Sequence, residues 1–276
     1  MARIDAHQHF WRFDPVRDSW INDDMLTIRR DFLPADLKPV LDANGIDGCV
    51  IVQSDQSETE NFFQLDNANR HDFIKGVVGW VDFKSPEVEA RLDYYSTFAK
   101  MKGFRHVLQG ERQRDYMLDP AFMQGIEKLN AHNFTYDILI YPDQLVYTKE
   151  FLKAFPHQRF VIDHLAKPDI KSGDIAAWKK NIEAVAAFEN VHCKVSGMVT
   201  EADWKHWTRE DFAPCLDTVT EAFGTSRLLF GSDWPVCLVA ATYAEAFNLV
   251  KEYYSAFSKN EQDAIFGNNA IQFYNL

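Results

Sequence analysis

Apolar residues along the chain fall into short, nearly continuous runs, separated by longer stretches in which they recur every three or four positions. Eight runs read as strands buried on both faces: Arg3–Ala6, Cys49–Gln53, Gly76–Val81, Lys102–Val107, Tyr136–Ile140, Phe160–Asp163, Val191–Val195 and Leu228–Phe230. Helical spacing marks intervening segments such as Leu33–Asn44, Glu87–Lys100, Asp119–Asn130, Tyr147–Phe155, Ile175–Phe188 and Phe212–Phe223. Pro34, Pro86, Pro120 and Pro214 sit near the starts of four of them, where a missing amide proton costs least. Buried strands alternating with helices imply a parallel sheet. Eight such units within 276 residues predict an α/β fold, a closed (β/α)8 TIM barrel forming a single domain over residues 1–276. A doubly wound nucleotide-binding sheet is disfavoured, because no G-x-G-x-x-G or G-x-x-x-x-G-K-[ST] loop follows a strand. The longest insertion, residues 11–31, is aromatic and charged and is expected to cap one mouth of the barrel.

Composition narrows the function. With 46% hydrophobic and 25% charged residues, the chain is neither disordered nor of low complexity. A net charge of −12 argues against nucleic-acid or anionic-membrane partners. No stretch reaches the roughly 18 apolar residues of a membrane span, and Met1–Phe13 lacks the apolar core of a signal peptide. Cys49, Cys193, Cys215 and Cys237 form no C-x-x-C pair and read as free thiols, so a cytoplasmic protein is expected.

A barrel places its chemistry at the C-terminal ends of its strands. His7 and His9 end the first, and period-2 alternation points both side chains the same way. By that alternation Asp5 shares their face and would orient them from below or be an ordinary buried acid. His164 ends the sixth strand, within Asp163-His164-Leu165-Ala166-Lys167-Pro168, and Asp233 follows the eighth, within Gly231-Ser232-Asp233-Trp234-Pro235. Singly, each reads equally as a structural residue or a helix cap. Together they converge on one mouth. Arg105 and His106 end strand four, near Gln109 and Arg112, and offer bidentate contacts to a substrate carboxylate or hydroxyls, although a structural ion pair also suits Arg105. Lys167 suits an anion or hydroxyl contact, or solvated surface. Gln53, Trp80, Met198, Trp11, Trp20 and Trp234 fall near strand ends or in the insertion, where aromatic faces can pack on a sugar or simply on the core.

The Asp5–Trp11, Asp163–Pro168 and Gly231–Pro235 segments resemble the amidohydrolase superfamily, of the amidohydrolase 2 type. More narrowly they are similar to its branch of fucono- and rhamnono-lactonases and 2-pyrone-4,6-dicarboxylate lactonase. The resemblance extends to Phe266-Gly267-Asn268-Asn269-Ala270. It implies a TIM-barrel hydrolase opening the lactone of a sugar acid in carbohydrate catabolism. Asp233 would be the general base, and His7, His9 and His164 would polarise the carbonyl directly or through a metal. Metal-dependent members usually add a histidine on strand five, and binuclear ones a carboxylated Lys or a Glu on strand four. Tyr136–Tyr141 and Lys102–His106 supply neither. The expectation is at most one divalent ion, such as zinc, held by His7, His9, His164 and Asp233, with a metal-independent mechanism the alternative. The implied partner is a small sugar lactone, with self-association left open. The competing readings are a metal-dependent decarboxylase of an aromatic or unsaturated acid and a catalytically silent binding barrel. The first should carry the missing histidine, and the second should have lost one of the four polar groups.

Overall fold

The structure, a computed structural model, describes residues 1–276. Eight parallel strands run in chain order around a barrel: β1 (Ile4–Gln8), β2 (Gly48–Val52), β3 (Ile74–Gly79), β4 (Met101–His106), β5 (Thr135–Ile138), β6 (Phe160–Ile162), β7 (Val191–Val195) and β8 (Leu228–Phe230). The seam closes between β8 and β1. The Asp233 amide donates to the His7 carbonyl at 2.8 Å, and the His9 amide to the Trp234 carbonyl at 2.7 Å. One helix follows each strand: α1 (Pro34–Asn44), α2 (Glu58–Arg70), α3 (Val88–Ser96), α4 (Pro120–Glu127), α5 (Leu145–Ala154), α6 (Ala176–Ala186), α7 (Ala213–Phe223) and α8 (Tyr243–Tyr253). Two short helices, α9 (Lys259–Asp263) and α10 (Asn269–Tyr274), follow. No helix is long and apolar enough to cross a membrane. The chain is a single-domain (β/α)8 TIM barrel.

Strand alternation divides the apolar residues into two cores. Outward residues such as Cys49, Ile51, Val77 and Phe104 join the helices in a cluster of 67 buried side chains. Inward residues Ile4, Ala6, Val50, Val52, Val78, Val161 and Leu229 form a smaller core, which α10 closes from the N-terminal end with Phe273 and Tyr274. Above this apolar plug the interior turns polar.

Strand β1 breaks the alternation. Asp5 pairs with Cys49 but Gln8 with Ile51, so β1 carries one residue more than β2 over the same span. That bulge shifts the phase. Ile4 and Ala6 face inward below it, and His7 reaches inward above it toward Arg105 and Lys194. The expectation that Asp5 shares the face of His7 is therefore corrected: Asp5 reaches out to α8. Its Oδ1 accepts the amides of Ser232 (2.9 Å) and His7 (3.1 Å), and its Oδ2 the Tyr243 hydroxyl (3.1 Å). It fastens the seam from outside, and burial pushes its carboxyl up to about 6.

Candidate active site

The end of β1 and the loops after β1, β6 and β8 bring the four polar groups together at the C-terminal mouth. After β6 the chain turns through four consecutive non-glycine residues of positive φ, His164 to Lys167. Left-handed backbone costs an L-residue roughly 1–2 kcal/mol, so surrounding contacts must hold it. The Lys167 amide donates to the His164 carbonyl at 2.7 Å, and the Trp178 indole to the Leu165 carbonyl at 2.6 Å. Asp233, after β8, also has positive φ (58°). Two glycines make room. A Cβ on Gly231 would come within 2.6 Å of the His7 Cβ, and one on Gly197 within 2.5 Å of His164 Nδ1.

Asp233 Oδ1 is the hub. It lies 3.2 Å from His9 Nε2 and 3.8 Å from both His7 Nε2 and His164 Nε2, and the His7 and His9 Nε2 atoms are 3.2 Å apart. His9 Nδ1 is 2.7 Å from the Val52 carbonyl, which can only accept, so that nitrogen carries a proton, and the neutral form of the ring would turn a lone pair on Nε2 toward Asp233. His164 Nδ1 contacts Ser196 Oγ at 2.9 Å. Burial pushes His164 down to about 4 and His7 well below the usual imidazole range, so both are neutral at pH 7. Burial alone would raise the Asp233 carboxyl, but His164, a cation in the acid range where that carboxyl would titrate, the hydrogen bond with His9 and the charge of His7 outweigh it and hold it below the usual carboxylate range.

Lone pairs facing one another at these distances suit a shared cation. Two ligands of one tetrahedral zinc, each at about 2.0–2.1 Å, stand roughly 3.3 Å apart. Ligand atoms of His7, His164 and Asp233 lie within 4.8 Å of one another, and His9 adjoins both His7 and Asp233. These residues fit one ion. A second is disfavoured by charge, because cations fill the interior below. The Arg105 guanidinium donates to Asp163 Oδ2 (2.9 Å), to Gln53 Oε1 (3.2 Å) and to the Gln53 carbonyl. Lys194 pairs with Asp163 Oδ1 at 3.0 Å and with Asp137, which also accepts the Tyr274 hydroxyl at 2.9 Å. His7 Nδ1 rests between Asp163 Oδ1 (3.3 Å) and Lys194 Nζ (3.2 Å). Burial would raise Asp163, but Lys194, His7 and Arg105 hold it well below its usual range. Asp137 is pushed up to about 6 by burial.

The cluster opens into a cavity of about 480 Å³ lined by His9, Arg105, His164, Lys167, Asp233 and side chains above them. Trp11, Trp20 and Met25 of the 11–31 insertion form part of its wall, together with Tyr141, Glu201 and Trp204. Trp20 and Lys167 thus reach the cavity; Gln53 does not line it and accepts from the Arg105 guanidinium. Trp80 and His106 do not line it. The Trp80 indole donates to His106 Nδ1 at 3.3 Å, and His106 pairs with Glu111 at 2.8 Å and stacks on Tyr116, behind β4. Adjacent β4 residues face opposite sides, so Arg105 inside puts His106 outside. Met198 and Trp234 are buried in the outer core.

Asp137, Lys194, Ser196 and Glu201 were not singled out from the sequence. For Asp137 and Lys194 the signal was present: a charge within an apolar strand must face the barrel interior and find a partner there. Ser196 and Glu201 sit in ordinary loop sequence and offered none.

Fold and site together define a TIM-barrel enzyme with a His-His-His-Asp centre suited to a single metal ion. The amidohydrolase family model matches residues 4–276, and the chain belongs to that family. It is 37% identical over 285 residues to an L-fucono-1,5-lactonase of Burkholderia multivorans, covering 99% of this chain and 96% of that protein. A B. multivorans amidohydrolase crystallised with bound zinc superposes with a TM-score of 0.97 at 37% identity, over 100% of both chains. A probable 2-pyrone-4,6-dicarboxylic acid hydrolase of Acinetobacter baumannii shares the fold, with a TM-score of 0.81 at 19% identity over 100% of both chains.

Proposed function

We propose that the protein opens the lactone ring of a neutral sugar acid, an aldonolactone of the L-fucono-1,5-lactone type, by attack of water on the ester carbonyl. The observation that carries this reading is the division of labour at Asp233. Its Oδ1 is engaged by three histidines, while its Oδ2 has no partner within the chain and Asp233 lines the cavity. A carboxylate held ionised, with one free oxygen facing a substrate-sized cavity, is equipped as a general base. Likeness to a lactonase over 99% of the chain supports the substrate class.

In this mechanism Asp233 Oδ2 takes a proton from the attacking water as the new C–O bond forms. His7, His9 and His164 present nitrogens on one side of the reacting carbonyl, and Arg105 holds positive charge beneath it. One divalent ion, zinc by analogy with the 37%-identical neighbour, would be held by His7, His9, His164 and Asp233 and would polarise the carbonyl. The ring oxygen leaves as a hydroxyl after receiving the proton carried by Asp233. The product hydroxy acid ionises at neutral pH. The test is acid release from a panel of aldonolactones, with and without chelator. Turnover of at least one 6-deoxyaldonolactone well above the uncatalysed rate supports the proposal, and a rate equal to the blank on the whole panel overturns it.

A further inference from the structure

We propose that Lys167 and Glu201 form a clamp for a vicinal diol, which selects neutral polyhydroxy lactones over lactones bearing carboxylates. The inference rests on the lactonase reading and assigns the substrate class within that site. Lys167 comes from the turn after β6 and Glu201 from the loop after β7, so the pair stands on two neighbouring sectors, the second of which adjoins the loop that carries Asp233. The Lys167 ammonium donates to Glu201 Oε1 at 2.7 Å. Two ammonium protons and Glu201 Oε2 then have no hydrogen-bond partner within the chain, the ammonium standing 5.9 Å from the centre of the Tyr141 ring, and both residues line the cavity. A donor and an acceptor side by side are complementary to two adjacent hydroxyls, one accepting from the ammonium and one donating to the carboxylate.

The pair is held in place before any substrate arrives. Lys167 sits at φ 54°, fixed by its amide bond to the His164 carbonyl. Glu201 is positioned by the bond from the Lys171 amide to its carbonyl, and Trp204 closes the same turn by donating to the Thr200 carbonyl at 2.9 Å. Only 15% of the Lys167 side chain and 21% of that of Glu201 are exposed, which makes the pair less screened than one at the surface.

Charge supplies the selectivity. The cavity wall holds two permanent cations, Arg105 and Lys167, and each is already matched, by Asp163 and by Glu201. No unpaired side-chain cation remains for a substrate carboxylate. Burial would lower the Lys167 ammonium pKa, but Glu201 raises it, so the lysine remains a cation that the glutamate neutralises.

The experiment compares Glu201→Gln and Lys167→Met with the wild type on three probes: L-fucono-1,5-lactone, δ-valerolactone, which lacks hydroxyls, and 2-pyrone-4,6-dicarboxylate as a competitive inhibitor. In both variants kcat/KM for the hydroxylated lactone should fall about tenfold more than for δ-valerolactone, mostly through KM, as expected for losing a hydrogen bond to a charged group. In Glu201→Gln alone, the unpaired Lys167 should also tighten inhibition by the dicarboxylate at least about threefold. Equal losses on both lactones, or none on either, would overturn the clamp. Failure of the wild type on every aldonolactone would bring down the proposed function, and the clamp with it. Turnover by the wild type without the differential loss would bring down the clamp alone.

Discussion

His9 and Asp233 meet at 3.2 Å, and the neutral form of the histidine would turn a lone pair toward the carboxylate because its other ring nitrogen is committed to the Val52 carbonyl at 2.7 Å. Two acceptors in contact are unfavourable unless a proton or a cation lies between them. The pair therefore gives the protein an intrinsic affinity for one positive ion. Metal analysis of purified protein should find close to one equivalent per chain and never two, since Arg105 and Lys194 hold the ground where a second would sit. Two tightly bound equivalents would refute this account of the interior.

Arg105 is tied to Asp163 and Gln53 as well as lining the cavity. Replacing it by Met would leave Asp163, fully buried, with Lys194 as its only remaining permanent cation. Breaking a buried ion pair from one side costs about 3–5 kcal/mol. Arg105→Met should thus unfold at clearly lower denaturant concentration as well as lose activity. A variant of wild-type stability with only a raised KM would make Arg105 a substrate contact alone.

Gly197 is the counterpart of His164. Its φ is 61°, and an added Cβ would lie 2.5 Å from His164 Nδ1. Gly197→Ala must displace the imidazole from its position beside Asp233. Misplacement by about 1 Å can cost on the order of 10²-fold in rate, and kcat/KM on an aldonolactone is expected to fall by that order. Unchanged kinetics would show that the ring has room to adjust.

His192 lies far from the mouth, against Phe273 near the N-terminal end of the barrel, and burial pushes its pKa down to about 4. The folded state keeps it neutral while the unfolded chain protonates it near 6.5. Stability is therefore lost as pH falls from about 6.5 to about 4, by up to roughly 3 kcal/mol from this residue. Urea titrations of wild type and His192→Gln should differ in slope across that window, the variant losing less. Parallel pH curves would dismiss the effect.

How far the sequence foretells this molecule depends on whether phase or charge is asked for. All eight strands were legible because buried parallel strands are apolar on both faces, and six of the eight barrel helices because they carry apolar stripes. Helix α2 shows no such stripe: it buries Glu60, Asn61, Gln64 and Asn67, and Asn61 bonds the Trp80 backbone. The bulge in β1 was invisible, since one extra residue changes the facing of Asp5 without changing composition. For the same reason His106 and Arg105, neighbours in sequence, read alike although only one faces the cavity. His7, His9, His164 and Asp233 stood out because barrel geometry gives strand ends a common destination. The Lys167–Glu201 pair spans 34 residues between two loops, and only the fold brings it together.

The account turns on Asp233 as the base. Asparagine tolerates positive φ better than most residues, so Asp233→Asn should keep the turn at φ 58° while removing the proton acceptor. The decisive measurement is kcat for aldonolactone hydrolysis by this variant, taken beside its thermal unfolding. A fall on the order of 10²–10⁴ in kcat, with cooperative unfolding retained, is the expected result. A folded Asp233→Asn protein that hydrolyses the lactone at the wild-type rate would contradict it.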